Sequence, residues 1–381
     1  MRPPEPYHFR FGTPQLIPQK AILEEDNALA IPLESYQKSV RIFVSSPHST
    51  RHSIMPTILQ VSIGHWQLRD LIHCPYATGE VFVVNRRRVL RHNFNTSNDT
   101  TTTTVECELP FEPTSMTVSS GYLAAGGQSS QLDLRHCHIP SSSTTSTSTT
   151  TGDVIFKGNC GGSVNNALRI ARDASQRLRL FVCNNDDTVK IFSVAIGALV
   201  GIVRCPVAIN HCAISSDGHL LACVGDNRHT YIYQATPSGY RSVLVYTEAS
   251  DAGMGCDWSP SGSLVAAASQ DGMTCVWDHR TSQLVAKFNT QLACRNVRFS
   301  PAPLDVLAFS EHRGRVHIAD SRMWPRKQVL HVSGTPELEP DISGIAFSPG
   351  GEVLYAGMED SISAYYVDTG ARRSFAMAEV C

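Results

Sequence analysis

The chain has 381 residues, a net charge of −2, 42% apolar residues and 17% charged ones. That is room for one large domain or two average ones, with an ordinary globular composition. Charge this close to neutral gives no pull toward nucleic acid or anionic lipid, and no run approaches the ~18 apolar residues of a membrane helix, so neither is expected as a partner.

Residues 1–37 are Pro-rich and irregular and read as a flexible arm. The opening MRPPEPYHFRFGTPQ places prolines and charges where a signal peptide needs an apolar core, so the cytosol or nucleus is expected. Next come apolar pieces at 60–94, QLRDLIHCP and GEVFVVNRRRVLRH. The basic run within them, Arg86, Arg87, Arg88 and Arg91, reads as a strand pair with its arginines on the solvated face. The competing reading is a phosphate-binding or nuclear-import signal, but no interleaved aromatics offer bases a stacking surface. Two Ser/Thr tracts, 96–104 and 141–151, bury no apolar area and read as inter-strand loops.

Beyond them a module repeats. Six short apolar runs end in polar turns: GYLAAGGQ (121–128), LRLFVCNNDD (178–187), HLLACVGDN (219–227), SLVAAASQDG (263–272), DVLAFSEHRG (305–314) and EVLYAGMED (352–360). Each suits a buried strand entering a hairpin. A second run follows most of them (TVKIFSV, TYIYQ, MTCVWD, RVHIAD, SISAYYVD), and a third unit precedes several (CAISSDG, CDWSPSG, VRFSPAP, IAFSPGG). ALVGIVR, RSVLVYT, QLVAKF and RKQVLHV lie between and read as outer strands. Gly218, Gly262 and Gly350 keep a beat of 44 and then 88 residues. Four strands per unit at a period in the forties predict propeller blades, and no stretch shows helical apolar spacing.

These units resemble WD repeats. The Ser-Pro-Ser-Gly turn, the Asp271-Gly272 hairpin and the closing Trp277-Asp278 make 253–289 the best match. The run from Asp186 to Phe192 is next, with Phe where Trp is usual. The Gly-His dipeptide that often opens a repeat is missing. The resemblance implies that the turn carboxylates Asp186, Asp271 and Asp360 hold their hairpins. The fold class is therefore all-β: a seven-bladed WD40-type β-propeller over 38–381 behind the N-terminal arm. The first blade is expected at 60–94, and KSVRIFVSS (38–46) is expected to pair with the last blade and seal the ring. DVLAFSEHRGRVHIADSRMW (305–324) and LRDLI (68–72) are similar to segments of a small eukaryotic WD-repeat family with no assigned role.

Of the twelve cysteines, Cys183, Cys212, Cys223, Cys256, Cys275 and Cys294 fall inside apolar runs, where a reduced thiol packs as a small hydrophobe. His136-Cys137-His138 could suggest a metal, but on a strand Cys137 points away from its neighbours. Cys160 stands among glycines (GNCGG), yet nothing beside it supplies a base. No cofactor and no metal is expected, and catalysis, as a hydrolase on a propeller scaffold, is the least favoured class.

Trp277-Asp278-His279-Arg280 fits the Trp-Asp-x-Arg pattern of substrate receptors of cullin-4 ubiquitin ligases. Asp320-Ser321-Arg322 repeats it one unit later without the Trp, and Asp133-Leu134-Arg135 is a weaker echo. An Asp ending a strand and an Arg two residues on share a side, so the carboxylate can hold the guanidinium as a rigid donor at the rim. Such a pair can equally tie a turn and touch nothing else. The resemblance implies a non-enzymatic scaffold binding other proteins, with Trp277, Asp278, Arg280, Asp320 and Arg322 meeting a cullin-4 ligase adaptor. A generic subunit of a nuclear or cytosolic complex is the alternative.

Overall fold

Apolar runs of five or six residues between tight polar turns are too short for helices and well suited to strands covered on both faces. The computed structural model describes residues 61–95, 100–137, 152–332, 339–359 and 361–368. Among them the regular elements are strands alone, 27 in number, arranged as seven antiparallel sheets.

Blade 1 holds β1 (Ile72–His73), β2 (Glu80–Asn85), β3 (Arg88–Asn95) and β4 (Thr100–Glu108). Blade 2 holds β5 (Pro113–Ser119), β6 (Tyr122–Gly127), β7 (Gln131–His136) and β8 (Val154–Asn159). Blade 3 holds β9 (Asn165–Arg172), β10 (Leu178–Asn184), β11 (Thr188–Ser193) and β12 (Ala198–Arg204). Blade 4 holds β13 (Ile209–Ile214), β14 (Leu220–Gly225), β15 (Asn227–Thr236) and β16 (Gly239–Tyr246). Blade 5 holds β17 (Gly253–Trp258), β18 (Leu264–Ser269), β19 (Met273–Asp278) and β20 (Gln283–Asn289). Blade 6 holds β21 (Cys294–Phe299), β22 (Val306–Glu311), β23 (Arg315–Asp320) and β24 (Lys327–His331). Blade 7 has three described strands, β25 (Ile342–Phe347), β26 (Val353–Met358) and β27 (Ile362–Tyr366). The first strands of successive blades are neighbours, and β25 returns to β1, so the sheets form a closed circle. This is a seven-bladed β-propeller.

The core lies between blades. Val224 and Ile232 of blade 4 pack with Trp258, Val265 and Trp277 of blade 5, and comparable clusters bridge the other neighbours. One turn device recurs between first and second strands. The hydroxyls of Ser215, Ser259, Ser300 and Ser348 accept hydrogen bonds from the backbone N–H of Leu220, Leu264, Val306 and Val353 at 2.9–3.0 Å. Gly218, Gly262 and Gly351 supply the left-handed residue of that turn (φ 76°, 71° and 77°). The positional equivalent is thus Gly351, one residue beyond the Gly350 of the sequence beat.

Three expectations need correction. Blade 1 spans 72–108, not 60–94, because its first strand is only two residues long and 61–71 does other work. Thr101–Thr104 of the first Ser/Thr tract run inside β4, paired with β3, because the ladder satisfies their backbone whatever their polarity. Arg91 does not share the solvated face of Arg86–Arg88. It is buried, paired with Glu80 at 2.6 Å and Glu106 at 3.7 Å, and lies over the Phe82 ring. The arm 1–37, the segment 38–46, the tract 141–151 and Asp360 lie outside the described residues.

Candidate functional site

Antiparallel order gives the ring two faces. Turns between first and second strands and between third and fourth strands lie on one face, and the second-to-third hairpins and blade-to-blade connections lie on the other. The Asp-x-Arg segments close third strands, so those of blades 5 and 6 occupy the first face, side by side in ring order.

There Arg280 is forked onto Asp278, with Nε–Oδ1 3.1 Å and Nη2–Oδ2 2.7 Å, and its backbone N–H also donates to Oδ1 at 2.9 Å. This hydrogen bonding holds the Asp278 carboxyl below the usual carboxylate range. The Arg280 side chain remains 72% exposed. In blade 6 the backbone of Arg322 repeats the contact to Asp320 at 3.0 Å, but its Nε lies 3.4 Å away and the side chain is half-buried. Asp133 and Arg135 also pair bidentately, at 2.7 and 2.6 Å, but both lie within β7 and are buried. That echo is an internal ion pair, not a rim feature. Trp277 is likewise not at a surface. It is 1% exposed and stacked on Tyr246 at 4.5 Å.

On the second face, Asp271 accepts hydrogen bonds from the N–H and hydroxyl of Ser250, both 2.7 Å, and from Met273 N–H at 2.8 Å. The Trp277 indole N–H has no hydrogen-bond partner. Asp186 accepts instead from Thr188 and, at 2.6 Å, from Lys190 Nζ within its own hairpin.

The same face carries a feature the sequence did not announce. Residues 61–70 cross it as a strap from blades 7, 1 and 2 to blade 6. Val61 N–H donates to Glu359 O (3.0 Å) and Ser62 N–H to Val84 O (2.9 Å), while Gln128 of blade 2 reaches Gly64 O (2.9 Å). At the far end Arg69 meets Asp341 (3.4 Å), its carbonyl receives Asn296 Nδ2 (2.7 Å), and Leu71 N–H donates to Ser343 O (3.1 Å). Gly344 makes this crossing possible. Its φ is +151°, and a Cβ there would stand 3.1 Å from Ile72 Cγ2 and 3.2 Å from Arg69 O.

The strap then drops Asp70 among the inner strands. Its carboxylate takes Arg298 Nη2 of β21 at 2.6 Å and His211 Nε2 of β13 at 3.5 Å. His73 lies 3.9 Å away, with its Nε2 2.8 Å from Met116 O. Arg169 of β9 faces Asp257 of β17 at 3.8 Å, and Asp257 also accepts Phe299 N–H at 2.9 Å. Burial alone would raise the Asp70 carboxyl, but Arg298, His211 and His73 outweigh it and hold it far below the carboxylate range. Burial lowers His73 and His211, with Arg298 adding to it and Asp70 opposing it. Cys256 N–H donates to His211 Nδ1 at 3.3 Å, which leaves Nε2 to carry the proton toward Asp70. A faint signal for this cluster exists in the sequence: Asp70 in LRDLI and Arg298 in CRNVRF are charges inside strand-like apolar runs.

The remaining sequence candidates do not converge on a reaction. Cys160 Sγ faces Ser130 O at 3.4 Å and Asn165 Oδ1 at 3.3 Å, and burial pushes its thiol up, away from the thiolate a nucleophile needs. Cys137 is buried beside Glu106, while His136 on the same strand is exposed. The six cysteines of the apolar runs are all buried.

Comparison with known proteins agrees with this architecture. Residues 244–278 match the WD domain, G-beta repeat. Residues 293–331, which span blade 6, match an uncharacterised protein domain. The chain is similar to an uncharacterised protein of Schizosaccharomyces pombe, 27% identical over 344 residues, covering 83% of this chain and 91% of that one. It is also similar to an uncharacterised Saccharomyces cerevisiae protein, 24% identical over 230 residues, covering 49% of this chain and 32% of that one. The chain therefore spans about a third of that yeast protein. Among solved structures, a chain of the mitotic checkpoint complex superposes with a TM-score of 0.63 at 16% identity, over 82% of this chain and 95% of that chain. That likeness concerns the fold.

Proposed function

We propose that this WD40-type propeller works without catalysis, as a cytosolic or nuclear platform for other proteins. Its face bearing Asp278–Arg280 and Asp320–Arg322 meets the adaptor of a cullin-4-type ubiquitin ligase. One observation carries this reading: a forked carboxylate holds Arg280 rigid while most of its side chain stays in solvent. A preorganised planar donor loses little entropy on docking, and arginine is enriched among the residues that dominate interfaces. Arg322 sits on the same face in the next blade, and its shallower seat makes it the auxiliary contact. Trp277, as a core residue, supports the loop from beneath.

The test is affinity purification of tagged wild type beside an Arg280→Ala, Arg322→Ala chain. The adaptor should co-purify with the first and be depleted with the second. Its absence from both, or equal recovery from both, removes the ligase reading. A different complex lost in the double variant would favour the generic-subunit reading on the same anchors.

A further inference from the structure

The opposite face carries a second set of groups that this reading does not use. Trp66 sits on the strap and is 67% exposed, in contrast to the buried Trp258 and Trp277. Beside it, His65 lies within electrostatic reach of Arg69, Arg295 and Asp226. His312, from the blade 6 hairpin, is within reach of Arg295, Arg313, Asp341 and Arg69.

Arg295 is the unusual member. It is 6% exposed, and its Nη1 donates to the neutral amide oxygen of Gln270. Its Nε has no partner. Burial, and after it the neighbouring Arg69, push its guanidinium down to about 10. Of the two carboxylates within electrostatic reach of it, Asp341 is engaged by Arg69 at 3.4 Å and Asp251 accepts the Ala252 N–H at 2.7 Å. A buried cation served only by an amide is short of an anion.

We propose that this face docks an acidic peptide segment of a protein partner, a carboxylate side chain turning toward Arg295 and an adjoining apolar residue lying on Trp66. Charge complementarity selects the acid, and the exposed indole supplies the apolar contact. The surface goes beyond the adaptor-binding face, resting only on the protein-platform reading, and would leave the propeller with one partner on each side.

The probes are an array of nonapeptides centred on Leu-Asp-Asp or Phe-Glu-Glu, their Asn and Gln counterparts, and phosphoserine versions. They are titrated into the purified full chain and followed by calorimetry. Acidic peptides should bind more tightly than amide counterparts by about tenfold or more, and Trp66→Ala should weaken them by a similar factor. Arg295→Gln should do the same and flatten the salt dependence. Should that buried substitution unfold the chain, exposed Trp66 still decides. The Arg280→Ala, Arg322→Ala chain should bind these peptides like wild type, which separates this test from that of the ligase reading. Equal binding of acidic and amide peptides, indifference to Trp66→Ala, or binding of phosphoserine versions alone would overturn the proposal.

Discussion

Asp70→Asn should be the most informative single change among the inner strands. The substitution keeps size and shape but removes the charge that meets Arg298 at 2.6 Å, in a place where both side chains are at most 10% exposed. Stranding one buried ion of such a pair costs about 3–5 kcal/mol. Domains of 150–250 residues lose about 2–4 °C per kcal/mol and longer ones less, so the melting midpoint should fall by roughly 5–10 °C. Replacing Arg298 by Met in the same chain removes the stranded cation and should recover at least ~2 kcal/mol. The folded carboxyl of Asp70 is depressed, so its stabilisation is fully present above the unfolded value near 3.9 and shrinks as pH falls below that. The gap between wild type and Asp70→Asn should therefore be flat from neutral pH to about 5 and narrow toward pH 3. Thermal and urea melts of the full chain, read by circular dichroism, measure all of this. An Asp70→Asn chain within ~1 kcal/mol of wild type, or a double variant costing the sum of the singles, would refute the reasoning.

Buried histidines add a second pH dependence. His73 and His211 are lowered by burial, and His92 is pushed down to about 4 by the same cause. The unfolded chain binds protons at these positions near pH 6.5 while the folded one refuses them, so stability should decline from pH 7.5 to 5.5; equal urea midpoints at both would contradict this. Trp277→Ala removes a buried ring stacked on Tyr246 and should cost about 3–5 kcal/mol by the same melts. Gly344→Val places a branched side chain where Arg69 O of the strap stands 3.2 Å from a Cβ, at φ +151°. It should destabilise by more than the ~1 kcal/mol of an ordinary glycine replacement and speed hydrogen exchange at Leu71 N–H.

The second strand of each blade from 2 to 7 was legible because burial on both faces demands an unbroken apolar run, and Leu264–Ser269 or Val306–Glu311 look like little else. Blade 1 was misplaced for a local reason. Its inner strand is two residues long, and the apolar LRDLI that mimics a strand is the descending end of the strap. Arg91 misled because its partners Glu80 and Glu106 come from neighbouring strands, and pairing across a sheet leaves no mark along one of them. The Asp-x-Arg spelling likewise recurs at Asp133 in mid-strand and at Asp278 at a strand end, where identical letters give a buried pair and an exposed one. Trp66 carries no pattern at all, since its importance comes from what the ring places around it.

The bond between Asp70 and Arg298 joins positions 228 residues apart. During translation at about 5–20 residues per second, the carboxylate leaves the ribosome tens of seconds before its guanidinium is made. Until then the strap has no cation to descend toward, and β1 lacks β25, its neighbour across the ring. The early blades of a nascent chain must therefore wait with an open seam, and a chain ending before Arg298 would lack its keystone. Synthesis of blades 6 and 7, more than that of blade 1, decides when the circle can close.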